Sequence, residues 1–223
     1  MLLQLINEDL GYNRNLVLRG VSIAIHAGDR IALVGESGAG KSTLLTAIQA
    51  RLHAQAALVP QSPGLVGALS VFHNIYMGRL HQHPTWYNLL NLVWPGRREI
   101  EAIQPLVDRL GLEEKLFEPA GALSGGQQQR VGICRALHQG GALVLGDEPV
   151  SAVDSHQART VLDALHTHFE TVVLAMHDVE LALQYATRII GLKHGTIALD
   201  RPSAGLSVPD LDFLYKYSDD AHR

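Results

Sequence analysis

Three features of the 223-residue sequence predict an α/β fold with a mostly parallel core sheet and one helical insertion. Runs such as "RIALVG", "ALVLGD", "TVVLAMH" and "RIIGLK" are continuously apolar, as in strands buried on both faces. A glycine-rich stretch, "GESGAGKS", joins one of these runs to a helical pattern. From about residue 68 to 140 helical periodicity replaces strand-like texture, and strands then return in alternation with helices.

The elements follow in order. "LLQLIN" and "VSIAIH" read as short strands divided by the turn-forming "GYNRN". "RIALVG" is a buried parallel strand that feeds "ESGAGKSTLLTAIQARL", a glycine-rich turn and a helix with Leu44, Leu45, Ile48 and Leu52 on one face. "AALVPQ" is a strand stopped by Pro60. "SVFHNIYMGRL", "EIEAIQPLVDRLGL" and "QQQRVGICRALHQ" are helical, with loops between them. The strands "GALVLGD", "TVVLAMH", "RIIGLKHG" and "TIALD" follow, separated by the helices "SHQARTVLDALHTHF" and "DVELALQYA". "SVPDLDFLYKYSDDAHR" is expected to be a short helix and a frayed end.

Composition narrows the function. A hydrophobic share of 47% supports one well-buried core, with or without a small satellite subdomain. A net charge of -4 gives no global basic field, so no nucleic-acid partner is expected. The lone cysteine, Cys134, cannot form an internal disulfide and reads as a small buried hydrophobe. The N-terminus lacks the pattern of a signal peptide, and no apolar run approaches the roughly 20 residues that span a bilayer. The expectation is a soluble chain whose membrane role comes through a partner.

"GESGAGKS" spans Gly35 to Ser42 and fits G-x-x-x-x-G-K-[ST] between a strand and a helix. Gly35, Gly38 and Gly40 let the backbone bend so that several N–H groups point inward, and the helix dipole completes an anion seat. Lys41 reaches the β- and γ-phosphates of a nucleoside triphosphate, and Ser42 offers its hydroxyl to Mg²⁺. "ALVLGDEP" ends an apolar strand on two acids, at the edge where open α/β sheets bind ligands. Alternation along the strand puts Asp147 and Glu148 on different sides, Asp147 as the Mg²⁺ partner and Glu148 as the base that polarises water.

His177 closes another apolar strand and is placed for a contact to the γ-phosphate, whereas Asp178 reads as a helix cap. His81, His83, His166 and His168 show no convergent metal pattern and are expected at the surface. In "LSGGQQQR", Ser124 and Gln127 form a capping-box pattern. Two glycines in a first helical turn cost about 1 kcal/mol each in propensity. Close backbone approach to a ligand is the reason to keep them. The helix start is therefore a second anion seat, and a two-fold dimer lets it face the partner's nucleotide.

The set "GESGAGKST", "VPQ", "LSGGQQQR", "LVLGDEP", "SAVD" and "AMHD", in this order over essentially the whole chain, resembles the ATP-binding cassette (ABC) ATPases. The resemblance implies a P-loop ATPase in one domain over residues 1–223. A RecA-like core is expected over about 1–67 and 141–223, with a helical subdomain over about 68–140 and a small N-terminal antiparallel β part. It implies ATP and Mg²⁺ on a phosphate loop made of Gly35, Glu36, Ser37, Gly38, Ala39, Gly40, Lys41, Ser42 and Thr43. Gln61 would contact Mg²⁺ and water and move with the transport partner. Ser124, Gly125, Gly126 and Gln127 would hold the other subunit's γ-phosphate, Asp154 would link the two sites, and Tyr12 would stack on adenine.

The sequence departs from the family between Lys41 and Gln61, about 20 residues that pass almost directly from helix to glutamine loop where a peripheral hairpin is usual. The antiparallel part is therefore expected to be shortened. The partners implied are a second copy, an integral membrane permease and a periplasmic or lipid-anchored solute-binding protein. The location implied is the cytoplasmic face of the inner membrane. Tyr76, Met77, Trp86, Tyr87, Leu89, Leu90 and Trp94 either pack the helical core or form the docking surface. "SVFHNIYMGRLH", "TWYNLL", "GRREIEAI" and "FLYKY" resemble phosphonate-import ATPase subunits. The alternatives are a cassette that scaffolds a soluble complex, such as a carbon–phosphorus lyase assembly, and a P-loop kinase for a small acceptor.

Overall fold

The structure, a computed structural model, describes residues 1–12, 15–52 and 56–215. These residues form eight strands and eight α-helices. They are β1 (Leu3–Tyr12), β2 (Asn15–Ile25), β3 (Arg30–Val34), α1 (Lys41–Leu52), β4 (Ala56–Val59), α2 (Val71–Tyr76), α3 (Thr85–Val93) and α4 (Arg97–Arg109). Then come α5 (Gly125–Gln139), β5 (Leu143–Asp147), α6 (Ser155–His168), β6 (Thr171–Ala175), α7 (Val179–Tyr185), β7 (Arg188–Lys193), β8 (Thr196–Pro202) and α8 (Val208–Leu211). Two compact units emerge, Met1–Ala54 with Glu170–Arg223, and Gln55–Phe169.

In the first unit β6, β3, β7 and β8 are neighbours in that order, with β3 parallel to both β6 and β7 and β8 antiparallel at the edge. The inner strands β3 and β6 are mainly apolar because both faces are covered: Ile31 to Val34 and all five residues of β6 are buried, whereas the edge strand β8 is largely exposed. α1 buries Leu44, Leu45, Ile48 and Leu52, the stripe its sequence predicts. β1 and β2 form a separate two-stranded antiparallel sheet with register shifts at Leu5/Glu8, Glu8/Leu10 and Leu10/Gly11. The strands run longer than expected. Gly11 and Tyr12 belong to β1 and Asn15 to β2, so most of "GYNRN" is ladder and not turn. Asn13 and Arg14 lie outside the described residues.

In the second unit β4 and β5 pair in parallel. Helices α2, α4 and α5 pack through Phe72, Ile75, Ile103, Val107, Val131 and Ile133, all fully buried. Gly132 has a steric reason, since a Cβ there would lie 2.8 Å from Pro63 Cβ. Buried Asn74 fixes the loop that leads into α2: its Oδ1 accepts the Val66 N–H at 2.8 Å and its Nδ2 donates to the Val66, Leu69 and Ser70 carbonyls at 3.0–3.2 Å. The segment "PTWYNLLNLV" is helix α3, an element the periodicity reading leaves as loop. Its outward face is apolar, so the usual pattern of a core-facing stripe is reversed. Among the described residues, no helix is long and apolar enough to cross a membrane.

Candidate functional site

The phosphate loop belongs to the first unit. After β3 the backbone takes positive φ at Gly35 (142°), Gly38 (81°) and Gly40 (106°), a region that favours glycine. Space adds a second reason at two of them. A Cβ on Gly35 would lie 2.3 Å from the Leu192 carbonyl oxygen, and one on Gly40 would lie 2.5 Å from Leu18 Cδ2. Such a run of residues turns amide N–H groups to one concave side, and the positive end of the α1 dipole lies directly behind it. Lys41 is only 5% exposed, and its Nζ donates to the Gly35 and Glu36 carbonyls at 2.7 and 3.0 Å. Ser42 is exposed and Thr43 is buried. The Gly35 N–H donates to the Tyr215 hydroxyl at 3.1 Å, and burial pushes that phenol's pKa up.

Tyr12 and His177 flank this loop in the same unit. The Tyr12 hydroxyl donates to Thr46 Oγ1 at 3.2 Å and approaches the Ser42 carbonyl at 3.4 Å, while the residue stays 45% exposed. Parallel pairing sets Leu33 beside Ala175, and the Met176 N–H donates to the Leu33 carbonyl at 3.0 Å. The chain therefore leaves β6 beside the start of the phosphate loop, with exposed His177 as the second residue past the strand. Asp178 is the cap of α7, its Oδ1 accepting the Leu181 N–H at 3.0 Å.

The carboxylate pair belongs to the second unit. Parallel register sets Val59 beside Gly146, so two residues further on Gln61 stands beside Glu148. Gln61 Nε2 donates to Glu148 Oε2 at 3.2 Å. β5 stops at Asp147, and Glu148 takes a left-handed φ of 53°. Glu148 is therefore outside the extended strand, so the simple strand alternation expected of the two acids does not extend to it. A non-glycine residue held there costs on the order of 1–3 kcal/mol, so its surroundings must impose it. Gln129 does so: its Nε2 donates to the Glu148 carbonyl at 2.8 Å and its Oε1 accepts the Ala152 N–H at 3.0 Å. The Ser151 N–H and hydroxyl add bonds to the same carbonyl at 3.2 and 3.1 Å.

Gln129 is the residue that the sequence reading does not single out. Its spacing carries a signal, since Gly132 and Ile133 stand three and four residues on and share its face of α5, where Gln129 is 3% exposed.

The start of α5, also in the second unit, has the predicted capping box. The Gln127 N–H donates to Ser124 Oγ at 3.4 Å, and the Ser124 N–H donates to Gln127 Oε1 at 2.9 Å. The two glycines differ. A Cβ on Gly126 would lie 2.7 Å from the Ala152 carbonyl oxygen, so packing inside the chain requires that glycine. A Cβ on Gly125 would meet nothing within 4 Å. Asp154 caps α6, its Oδ1 accepting the His156 and Gln157 N–H groups at 3.0 and 2.9 Å. The Gln157 bond is the main cause that holds its carboxyl below the usual range.

The remaining titratable groups divide by burial. Cys134 is fully buried, and burial pushes its thiol well up, as expected of an inert residue. His81 and His168 are exposed, but His83 and His166 are half-buried. His83 is less exposed than expected because its ring centroid lies 4.9 Å from that of Tyr87 and 6.0 Å from that of Tyr76.

The family described as ABC transporter matches residues 18–151. The chain is 38% identical over 242 residues to the phosphonates import ATP-binding protein PhnC of Pseudomonas putida, covering 96% of this chain and 89% of that relative. It is 38% identical to PhnC 1 of Pseudomonas aeruginosa, covering 89% and 84%. Among solved structures it resembles the dimeric post-hydrolysis state of the ATP-binding cassette MJ0796 bound to ADP and Pi, with a TM-score of 0.78, 24% identity and coverage of 91% and 99%. It also resembles an ATP-binding subunit of an ABC transporter, with a TM-score of 0.78, 22% identity and coverage of 97% and 100%. These two likenesses show the fold.

Proposed function

The chain belongs to the ABC transporter family as an ATP-binding, ATP-hydrolysing subunit, and we propose that it powers the import of phosphonates or related small oxyanions through a separate membrane permease. The solute class rests on the names of its relatives, which cover nearly the whole chain. The observation that carries the energetic part is the Gln61–Glu148 hydrogen bond. It ties the proposed base to the residue that family resemblance sets against the permease, so the catalytic carboxylate can register movement of the transport partner.

In the proposed cycle the phosphate loop from Gly35 to Thr43 holds ATP, with Tyr12 against adenine. The fit is supported by the inward-bent backbone at Gly38 and Gly40 and by Lys41 folded over the loop. Lys41 neutralises charge on the β- and γ-phosphates as a point charge. Ser42, the Gln61 amide oxygen and Asp147 are hard oxygen donors that would hold Mg²⁺, and the ion would supply charge neutralisation for the phosphates. Glu148 accepts a proton from the attacking water and aims it at the γ-phosphorus. His177 donates to the γ-phosphate. Ser124 Oγ accepts the cap bond from the Gln127 N–H, which leaves its O–H to donate outward. With Gly125, Gly126 and Gln127 it completes the pocket of a second copy, and Asp154 lies between the two pockets. Bound ATP then favours the closed dimer, and hydrolysis releases it. The permease and a periplasmic or lipid-anchored solute-binding protein complete the system, with this chain on the cytoplasmic face of the inner membrane.

The test is Glu148→Gln. It retains the side chain's shape and is expected to bind ATP and accumulate as a dimer while phosphate release falls by roughly 10²–10⁴-fold. Phosphate release at the parent rate would remove Glu148 from its role. A pull-down in mild detergent tests the transport half: recovery of a polytopic membrane protein supports it, and recovery of soluble enzymes alone overturns it.

A further inference from the structure

Helix α3 is built inside out. Its polar residues face the protein. Asn91 is 1% exposed, its Nδ2 donating to the Tyr87 carbonyl at 3.0 Å and its Oδ1 accepting the Gly96 N–H at 2.8 Å. Asn88 accepts the Tyr76 hydroxyl at 2.8 Å and donates to the Leu80 and His83 carbonyls at 3.0 and 3.2 Å. The Tyr87 hydroxyl donates to Glu99 at 2.9 Å. The large apolar side chains face away: Trp86 is 67% exposed, Leu89 60%, Leu90 54%, Val93 81% and Trp94 77%. At about 100° per residue, Trp86, Leu89, Leu90 and Val93 fall within one sector of the helix. Surface helices of water-soluble proteins turn this stripe inward, and apolar patches of this kind mark contact sites.

The chemistry of the patch selects its partner. From Val71 to Arg98 there is no aspartate or glutamate, in a chain whose net charge is -4. The patch is followed at once by Arg97 and Arg98, and the Arg97 side chain is 92% exposed even while its Nε pairs with Glu101 at 2.7 Å. One face of a nine-residue helix offers a few hundred Å², well short of the roughly 800 Å² per partner of a stable dimer. Trp86 and Trp94 bracket the face, and tryptophan settles where hydrocarbon meets headgroups because its ring is apolar and its N–H is not.

We propose that α3 is a membrane-surface helix: Trp86, Leu89, Leu90, Val93 and Trp94 enter the headgroup boundary of an anionic bilayer, and Arg97 and Arg98 sit against its phosphates. The contact would hold the second unit at the bilayer independently of the permease. It stands apart from the hydrolysis reading, since lipid alone satisfies it.

Trp86 and Trp94 are the chain's two tryptophans, so intrinsic fluorescence reports this helix alone. The purified full chain is titrated with vesicles of phosphatidylglycerol and phosphatidylcholine in equal parts, and with phosphatidylcholine alone. Emission is expected to move to the blue with the anionic vesicles and to be quenched by lipids brominated near the headgroup. Binding to neutral vesicles should be roughly tenfold weaker. Leu90→Glu with Val93→Glu should abolish the response, with far-ultraviolet circular dichroism and ATP hydrolysis unchanged because both side chains are exposed. Arg97→Ala with Arg98→Ala should keep the fold and lose most of the anionic preference. Emission indifferent to both vesicle types overturns the proposal. So does a blue shift that appears only with a permease in lipid-free detergent, or only with rising protein concentration, because the patch then belongs to a protein partner.

Discussion

Helices α1 and α5 both follow glycine-rich starts, and the two starts are held by different things. At α1 the chain itself demands the residue: Gly35, Gly38 and Gly40 have positive φ, and side chains at 35 and 40 would strike Leu192 and Leu18. At α5 the cap is an ordinary serine box, and a Cβ on Gly125 would enter open space. The first start is a cradle whose shape is complete within its own unit. The second has a glycine that nothing among the described residues explains, which is what a seat for an external ligand looks like. The carboxylate loop behaves like the first, because Gln129 and Ser151 impose an uncommon backbone on Glu148.

This contrast can be broken by paired substitutions. Gly35→Ala should destabilise the protein by about 3 kcal/mol or more, since it combines a forbidden φ with a backbone clash. Gly125→Ala should leave the thermal midpoint unchanged or slightly raised, because alanine is the better helix former. Its phosphate release should nonetheless fall by roughly ten- to hundred-fold if a partner's phosphate must approach that backbone. Thermal melts and phosphate release on the two variants decide the matter, and an active Gly125→Ala enzyme would reduce the α5 start to a cap.

A smaller effect sharpens the comparison at the carboxylates. Gln129→Ala removes a buried amide with partners at both ends, and should cost about 1–3 kcal/mol in a urea melt. If its role is to position Glu148, kcat should fall with KM little changed, whereas a purely structural role would move stability alone.

The smallest effect lies at the other end of α5. His138 is 2% exposed and its Nε2 has no hydrogen-bond partner among the described residues, and burial, helped by Arg79 and His83, lowers its pKa to about 4. Its folded-state pKa lies below the unfolded value near 6.5, so the unfolded chain binds the extra proton. Stability is therefore complete above about pH 6.5 and is lost as pH falls toward 4. Between pH 7 and 6 the loss should be on the order of 1 kcal/mol, read as a lower thermal midpoint, and His138→Gln should flatten it.

Much of this architecture was legible in the sequence because its signals are local. A continuous apolar run before "GESGAGKS" implies a buried strand, and the buried stripe of α1 follows from Leu44, Leu45, Ile48 and Leu52. The Ser124–Gln127 box and the Asp178 cap are contacts between residues three apart, so spacing alone carries them. α3 was missed because its apolar positions face outward, and a periodicity argument looks for a stripe that a core would bury. The pairing of Gln61 with Glu148 was missed because it is set by the register of β4 on β5, across 87 residues of chain.

By itself the sequence determined the alternation of strands and helices, the glycine cradle, the acids at a strand end and the serine cap. Each of these depends on neighbours within one or two turns, where steric and hydrogen-bonding preferences act without tertiary help. Only the tertiary structure decided which glycines the chain itself requires, that Gln129 holds Glu148 in a left-handed turn, and that α3 turns its tryptophans outward. Those outcomes depend on which atoms from distant segments occupy the same space, and chain spacing carries no record of that.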